Sequence, residues 1–250
     1  MLFRFLGLLF LWGTIIFTVI QKNDIIWGIS ALCSIILMHL ISKWLRVGGL
    51  SQLGLQVKRG WLRYFLFGCL IGIVYQLLRF SVMYCTGTIR IQNLSVDMNA
   101  LIVSTIILLI STAYIGFAEE IVFRGYLVSV LPYSSKFVVV ISAALFTLGH
   151  SIDGNFDISR MCFLFFAGLF FAICYVVTRS LWFVAGIHSF WDFTWFYLGA
   201  DGGTSSSKII NVAINNDMSP YYEWIDVAMV LGSLLLVLFL TRKSFLLQKS

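Results

Sequence analysis

Apolar residues run along this chain in long unbroken blocks rather than in the alternating or one-faced patterns of a soluble domain, and short polar stretches separate the blocks. A run of about 20 apolar residues spans a ~30 Å hydrocarbon core as a helix. The blocks predict helical spans at about residues 3–20, 25–45, 62–84, 101–131, 136–150, 160–178, 181–199 and 224–241. The first, FLGLLFLWGTIIFTVI, is followed by QKND without a small-residue cleavage pattern, so it reads as a retained helix and not a signal peptide. Between the second and third spans, SQLGLQVKRGW is weakly amphipathic and is expected to rest in the membrane interface. The fold class expected is therefore all-α: a polytopic membrane helix bundle of about eight transmembrane helices, residues 1–250 forming a single integral membrane domain.

Composition agrees with this pattern. Of 250 residues, 60% are hydrophobic and 11% charged, against about 45–50% and about 25% in soluble domains. The net charge of +6 does not point to nucleic acid, because the basic residues lie between spans. With a cytoplasmic N-terminus, Arg4, Lys43, Arg46, Lys58, Arg59, Arg63, Lys136, Arg179, Arg242, Lys243 and Lys249 fall inside. Lys22, Arg90, Arg160 and Lys208 fall outside, in or beside outer loops with Asp24, Asp97, Asp153, Asp157, Asp201, Asp217, Glu223 and Asp226. The bias places both termini in the cytoplasm. The five cysteines, Cys33, Cys69, Cys85, Cys162 and Cys174, show no metal-site spacing and read as buried reduced thiols.

Few ionisable residues remain inside spans: His39, Arg79, Glu119, Glu120, Arg124, His150, His188 and Asp192. Each charged group at a helix centre costs about 2.5–3.5 kcal/mol on insertion scales, so such groups face a polar interior and mark function. His39 and Arg79 have no partner nearby in sequence and read as structural or interfacial. The others share a depth. At ~1.5 Å per residue, Glu119 lies roughly 19 Å from Pro132, His150 roughly 21 Å from Lys136, and His188 and Asp192 roughly 12 and 18 Å from Ser180. All four reach mid-membrane, the predicted level of an active site.

Helical phase divides these groups. Glu120 and Arg124 are i and i+4 and can pair on one face, while Glu119 turns about 100° away and stays available for chemistry. His188 and Asp192 are also i and i+4, and Phe146 lies one turn below His150 as a packing ring.

Taken together, EEIVFR, FTLGH and HSFWD resemble, in order, the EExxxR, FxxxH and HxxxN/D motifs of the CPBP (ABI) family of intramembrane proteases, which includes type II CAAX prenyl proteases and bacteriocin-processing or immunity proteins. The motif similarity covers residues 116–198. It implies an intramembrane endopeptidase with a catalytic core of helices over residues 101–199, a membrane-associated protein or peptide as substrate, membrane lipid as its surroundings, and a bacterial cell membrane as its location. By the same resemblance, Glu119 activates water with help from His150, His188 and Asp192 support the oxyanion, and Glu120 and Arg124 form a partly structural pair.

Asp192 departs from the Asn of many relatives, and an ionised carboxylate cannot donate to an oxyanion. Three roles stay open: a protonated Asp192, one that orients His188, or one that joins Glu119, His150 and His188 as ligands of zinc. The preferred mechanism requires no cofactor. A non-enzymatic immunity or scaffold protein and a proton-coupled transporter are the alternatives, since buried Glu, His and Asp also suit a proton relay. Neither an HExxH nor a GxSxG motif is present.

Overall fold

Helices occupy every predicted position in the computed structural model, which describes residues 2–94, 98–131, 135–152, 154, 156–198, 210–215 and 219–247. Pro132, Gly199, Asp97, Asp153, Asp201, Lys208, Asp217 and Lys249, used above for depth, boundaries or orientation, lie outside the described residues. The helices are α1 Leu2–Val19, α2 Asp24–Trp44, α3 Trp61–Cys85, α4 Met98–Glu120, α5 Leu127–Val130, α6 Ser135–His150, α7 Ile158–Thr178, α8 Leu181–Tyr197 and α9 Ser219–Leu247. Among the described residues, five segments are long and apolar enough to cross a membrane: Asp24–Trp44, Trp61–Cys85, Leu101–Val130, Ile158–Thr178 and Tyr221–Arg242. Phe3–Val19 and Lys136–His150 are shorter apolar helices. The seventh predicted span, α8, is 17 residues long and buries Leu181, Val184, His188 and Trp191 among others, so it acts as the centre of the bundle.

Close approach to α8 explains where glycine is used. An added Cβ at Gly72 of α3 would lie 2.8 Å from the Trp191 backbone nitrogen, and one at Gly116 of α4 would lie 2.8 Å from that of Ser189. Small residues let membrane helices pack backbone to backbone. Gly116 lies within regular helix as a contact point. The departure from α geometry comes later, at Ile121–Tyr126, a π-helical stretch whose six residues are all buried. Such insertions into α-helices are frequent at functional sites. Gly116→Ala is expected to destabilise the protein by about 1–3 kcal/mol through overpacking, measured as a lower thermal midpoint of purified protein.

Beside the helices of the expected all-α bundle stands a short antiparallel ribbon, β1 Ile89–Leu94 with β2 Ile210–Ile214, in which Ile89 pairs with Ile214 and Ile91 with Val212. Its apolar residues Ile89 and Val212 pack on Met83 at the end of α3, which supplies the burial that a free hairpin lacks. Ser51–Leu55, within the stretch expected at the interface, is anchored to the bundle: Leu53 is fully buried and its carbonyl accepts from the Tyr175 hydroxyl at 2.8 Å. Asp226, grouped with the outer loops, is a buried residue of α9 that forms a salt bridge with Arg79 of α3, whose guanidinium also covers the Trp195 ring at 3.3 Å. Arg79 therefore has a structural role, but with a partner far away in sequence. His39 accepts from the Leu50 backbone N–H at 3.5 Å. The cysteines are all free thiols, but Cys33 and Cys85 are exposed rather than buried.

Candidate active site

Four elements deliver the motif side chains to one place. Glu119 and Glu120 end α4, Arg124 lies in the π-helical stretch, His150 is the last residue of α6, and His188 and Asp192 occupy successive turns of α8. Glu119, His150, His188 and Asp192 together line a cavity of about 180 Å³, walled by Phe146, Phe171 and Trp191. The His150 Nε2 and His188 Nε2 atoms stand 3.6 and 3.9 Å from Glu119 Oε2, and His188 Nε2 is 3.6 Å from Asp192 Oδ2. These separations exceed direct hydrogen bonds. Glu119 Oε2 is buried with no hydrogen-bond partner among the described residues. An unmatched carboxylate oxygen in a cavity is costly unless the cavity supplies a donor.

The second glutamate has a different setting. Glu120 is fully buried, and its Oε1 accepts from Arg124 Nη1 at 2.8 Å and lies 2.8 Å from His188 Nδ1. Arg124 Nη2 also donates to the Gly168 carbonyl at 3.3 Å, and its guanidinium lies 4.5 Å over the Phe146 ring. The Glu120–Arg124 pair expected from i, i+4 spacing is present. The link from Glu120 to His188 crosses helices and has no signature in the spacing of either motif. An ionised carboxylate only accepts, so Nδ1 of His188 carries the proton of this contact and Nε2 faces the cavity. His150 follows the same logic: Nδ1 is 2.9 Å from the Phe146 carbonyl, an acceptor only, which leaves Nε2 toward Glu119.

Packing fixes both rings. Phe171 stacks on His188 at 4.8 Å between centroids, with 16° between planes, and the Phe146 ring lies 4.3 Å from that of His150. Arg160, placed from sequence on the outer side at the start of the sixth span, donates from Nη2 to the His150 carbonyl at 3.0 Å and so caps α6 where it carries the histidine. Phe171, Arg160 and Gly168 belong to this surrounding shell and to none of the three motifs. Among the described residues, no group of three or more His, Cys, Asp or Glu has the arrangement of a metal-holding set. The motif side chains form an acid–base set in their own right, with the Glu119 carboxylate facing two imidazoles.

Comparison with known proteins bears on the same segment. Residues 101–194 match the family described as Type II CAAX prenyl endopeptidase Rce1-like, a match that begins in α4 and takes in all three motifs. No curated protein and no solved structure matches the chain. With its apolar helices of membrane-crossing length, the chain is a multi-pass helical membrane protein, and its residues 101–194 are similar to the type II CAAX prenyl endopeptidase family.

Proposed function

We propose that the protein is an intramembrane endopeptidase that hydrolyses a peptide bond of a membrane-associated protein or peptide with water activated by Glu119. The observation that carries this reading is the buried, unpartnered Oε2 of Glu119 facing the Nε2 atoms of two histidines across a small cavity. Residues 101–199 form the catalytic core of a single membrane domain.

In the proposed reaction, a water in the cavity directs one O–H to Glu119 Oε2 and the other to His150 Nε2. Glu119 takes the first proton as the oxygen attacks the scissile carbonyl carbon. The carbonyl oxygen becomes an oxyanion, and His188 in its imidazolium form donates to it from Nε2. Glu120 favours that role because its carboxylate holds the opposite ring nitrogen. Collapse of the tetrahedral species breaks the C–N bond, and Glu119 returns its proton to the leaving nitrogen. Water adds as hydroxyl to one product and as hydrogen to the other, so the base is regenerated. The aromatic walls limit bulk water, which strengthens each electrostatic contact.

Asp192 stands at the mouth of the cavity, its side chain 26% exposed. In this reading it supports His188 and the oxyanion without ligating a metal. Asp192→Asn supplies an amide donor and is expected to retain cleavage within about tenfold of wild type. A role as metal ligand or as an essential negative charge predicts a loss on the order of 10²–10³-fold, the range seen when one oxyanion donor is removed. Cleavage of a defined membrane-anchored peptide by purified variants, with and without a zinc chelator, separates the two: survival and indifference to chelator support the metal-free role.

A further inference from the structure

At the end of the bundle that the charge bias places in the cytoplasm, the connection before α3, the start of α3 and the α7–α8 junction enclose a cavity of about 490 Å³, within the ~300–1,000 Å³ range of ligand pockets. Among the described residues it shares no lining with the catalytic cavity. Lys58, Arg59 and Arg179 line it, and among the described residues no carboxylate does. None of these three cations is in a salt bridge among the described residues, so their charges add to one field. Ser180 adds to it: its Oγ accepts from the Phe183 N–H at 3.4 Å as the N-cap of α8, which leaves the hydroxyl proton to donate. Arg179 also has an unusual backbone. It ends α7 in the left-handed region, at φ 52°, where helices commonly use glycine to avoid a Cβ clash. Strain kept at a helix end points to a use for the side chain it carries. The aromatic wall is preformed, since Trp182 Nε1 donates to the Gln56 carbonyl at 3.2 Å and the Trp61 and Trp182 rings lie 4.4 Å apart. Such rings mark the headgroup level of a membrane. From the rim, Tyr64 leads to Phe67 one turn on, both exposed on α3 and both packed against Phe183 of α8.

We propose that this cavity binds the phosphate of an anionic phospholipid, with the acyl chains lying along the Tyr64–Phe67 face of α3. Charge sets the headgroup class. A phosphate takes charge-assisted hydrogen bonds from the lysine and the two arginines. The ammonium of a zwitterionic headgroup meets the same three positive charges with no carboxylate in the described lining to receive it. Position sets the source. A soluble anion reaches only the cations, whereas a lipid in the adjoining leaflet is held at this depth at high local concentration, with its chains against α3. Bound there, one phosphate ties the connection before α3 to the α7–α8 junction and steadies the start of α8, the helix that carries His188 and Asp192. The site does not depend on the peptidase reading.

The test titrates full-length protein in dodecyl maltoside with phosphatidylglycerol, with phosphatidylcholine of the same chains, and with inorganic phosphate, read by native mass spectrometry and thermal unfolding. Wild type is expected to retain one phosphatidylglycerol about tenfold more tightly than phosphatidylcholine, and to gain about 2–4 °C in thermal midpoint from phosphatidylglycerol alone. Arg179→Gly removes the guanidinium and relieves the backbone. It is expected to weaken phosphatidylglycerol retention about tenfold, the equivalent of one charge-assisted hydrogen bond, while the midpoint without lipid stays the same or rises. A purely structural arginine would lower that midpoint instead. Lys58→Gln/Arg59→Gln is expected to weaken retention at least as much, and carries the test if Arg179→Gly fails to fold. Arg63→Gln, an exposed cation of α3 outside the cavity lining, is expected to stay within about threefold of wild type. Equal retention of the two lipids, equal stabilisation by inorganic phosphate, unchanged retention in both cavity variants, or an equal loss in Arg63→Gln each overturns the proposal.

Discussion

Glu119→Gln is expected to lower peptide cleavage by about 10²–10⁴-fold, the contribution of a positioned general base, while leaving a folded protein. The amide keeps the size and shape of the carboxylate but cannot take a proton from water. Folding should survive because Glu119 Oε2 contributes no hydrogen bond to the structure and its charge is not part of the Glu120–Arg124 pair. Removing a carboxylate from among Glu120 and Asp192 also relieves repulsion near His188. The thermal midpoint is therefore expected to stay the same or rise, as happens when function and stability oppose each other at a site. Initial rates and thermal unfolding on the same preparation check both parts. Wild-type rates from the variant would remove Glu119 from the role of base.

Glu120→Gln should have a large effect of a different kind. Glu120 is 0% exposed, as is Arg124, so neutralising the glutamate leaves an arginine buried without its counter-charge. Breaking a buried pair from one side costs about 3–5 kcal/mol, a large part of the stability of a typical domain. The yield of folded protein is expected to fall sharply. The double variant Glu120→Gln/Arg124→Met, which removes both charges, is expected to regain much of that stability. It should not regain activity, because His188 Nδ1 still lacks the carboxylate 2.8 Å away that orients the ring and supports its imidazolium form. Recovery of both folding and cleavage in the double variant would reduce Glu120 to a purely structural role.

Sequence periodicity reads faces well and partners poorly, and this site contains both cases. Spacing along one helix was sufficient to separate Glu119 from the Glu120–Arg124 pair, because a 3.6-residue repeat fixes directions within a turn or two. Contacts between helices follow from packing, which no single motif encodes. The Glu120–His188 contact joins residues 68 apart in sequence, and the Arg79–Asp226 bridge joins residues 147 apart. Hydropathy located the helices and put Asp226 near the start of the last span, but gave no sign of its partner on α3. Arg160, at the start of the sixth predicted span, likewise carries no sequence sign of its contact with the His150 carbonyl. The β1–β2 ribbon was missed because IRIQNL and INVAI are short and widely separated, and their pairing is stabilised by burial on Met83. The π-helical stretch has no local breaker ahead of it: IVFR reads as ordinary helix.

The central claim is that water, activated at Glu119, attacks the peptide bond directly. Its most direct test is a single-turnover reaction in H₂¹⁸O, with excess wild-type protein in nanodiscs, a membrane-anchored peptide, and mass spectrometry of both peptide and protein at each time. The account predicts one ¹⁸O in the new C-terminal carboxylate, no peptide attached to the protein at any time, and product formation slowed by about 10²–10⁴-fold in Glu119→Gln. A covalent acyl-protein species, or product formed at the wild-type rate by Glu119→Gln, would contradict it.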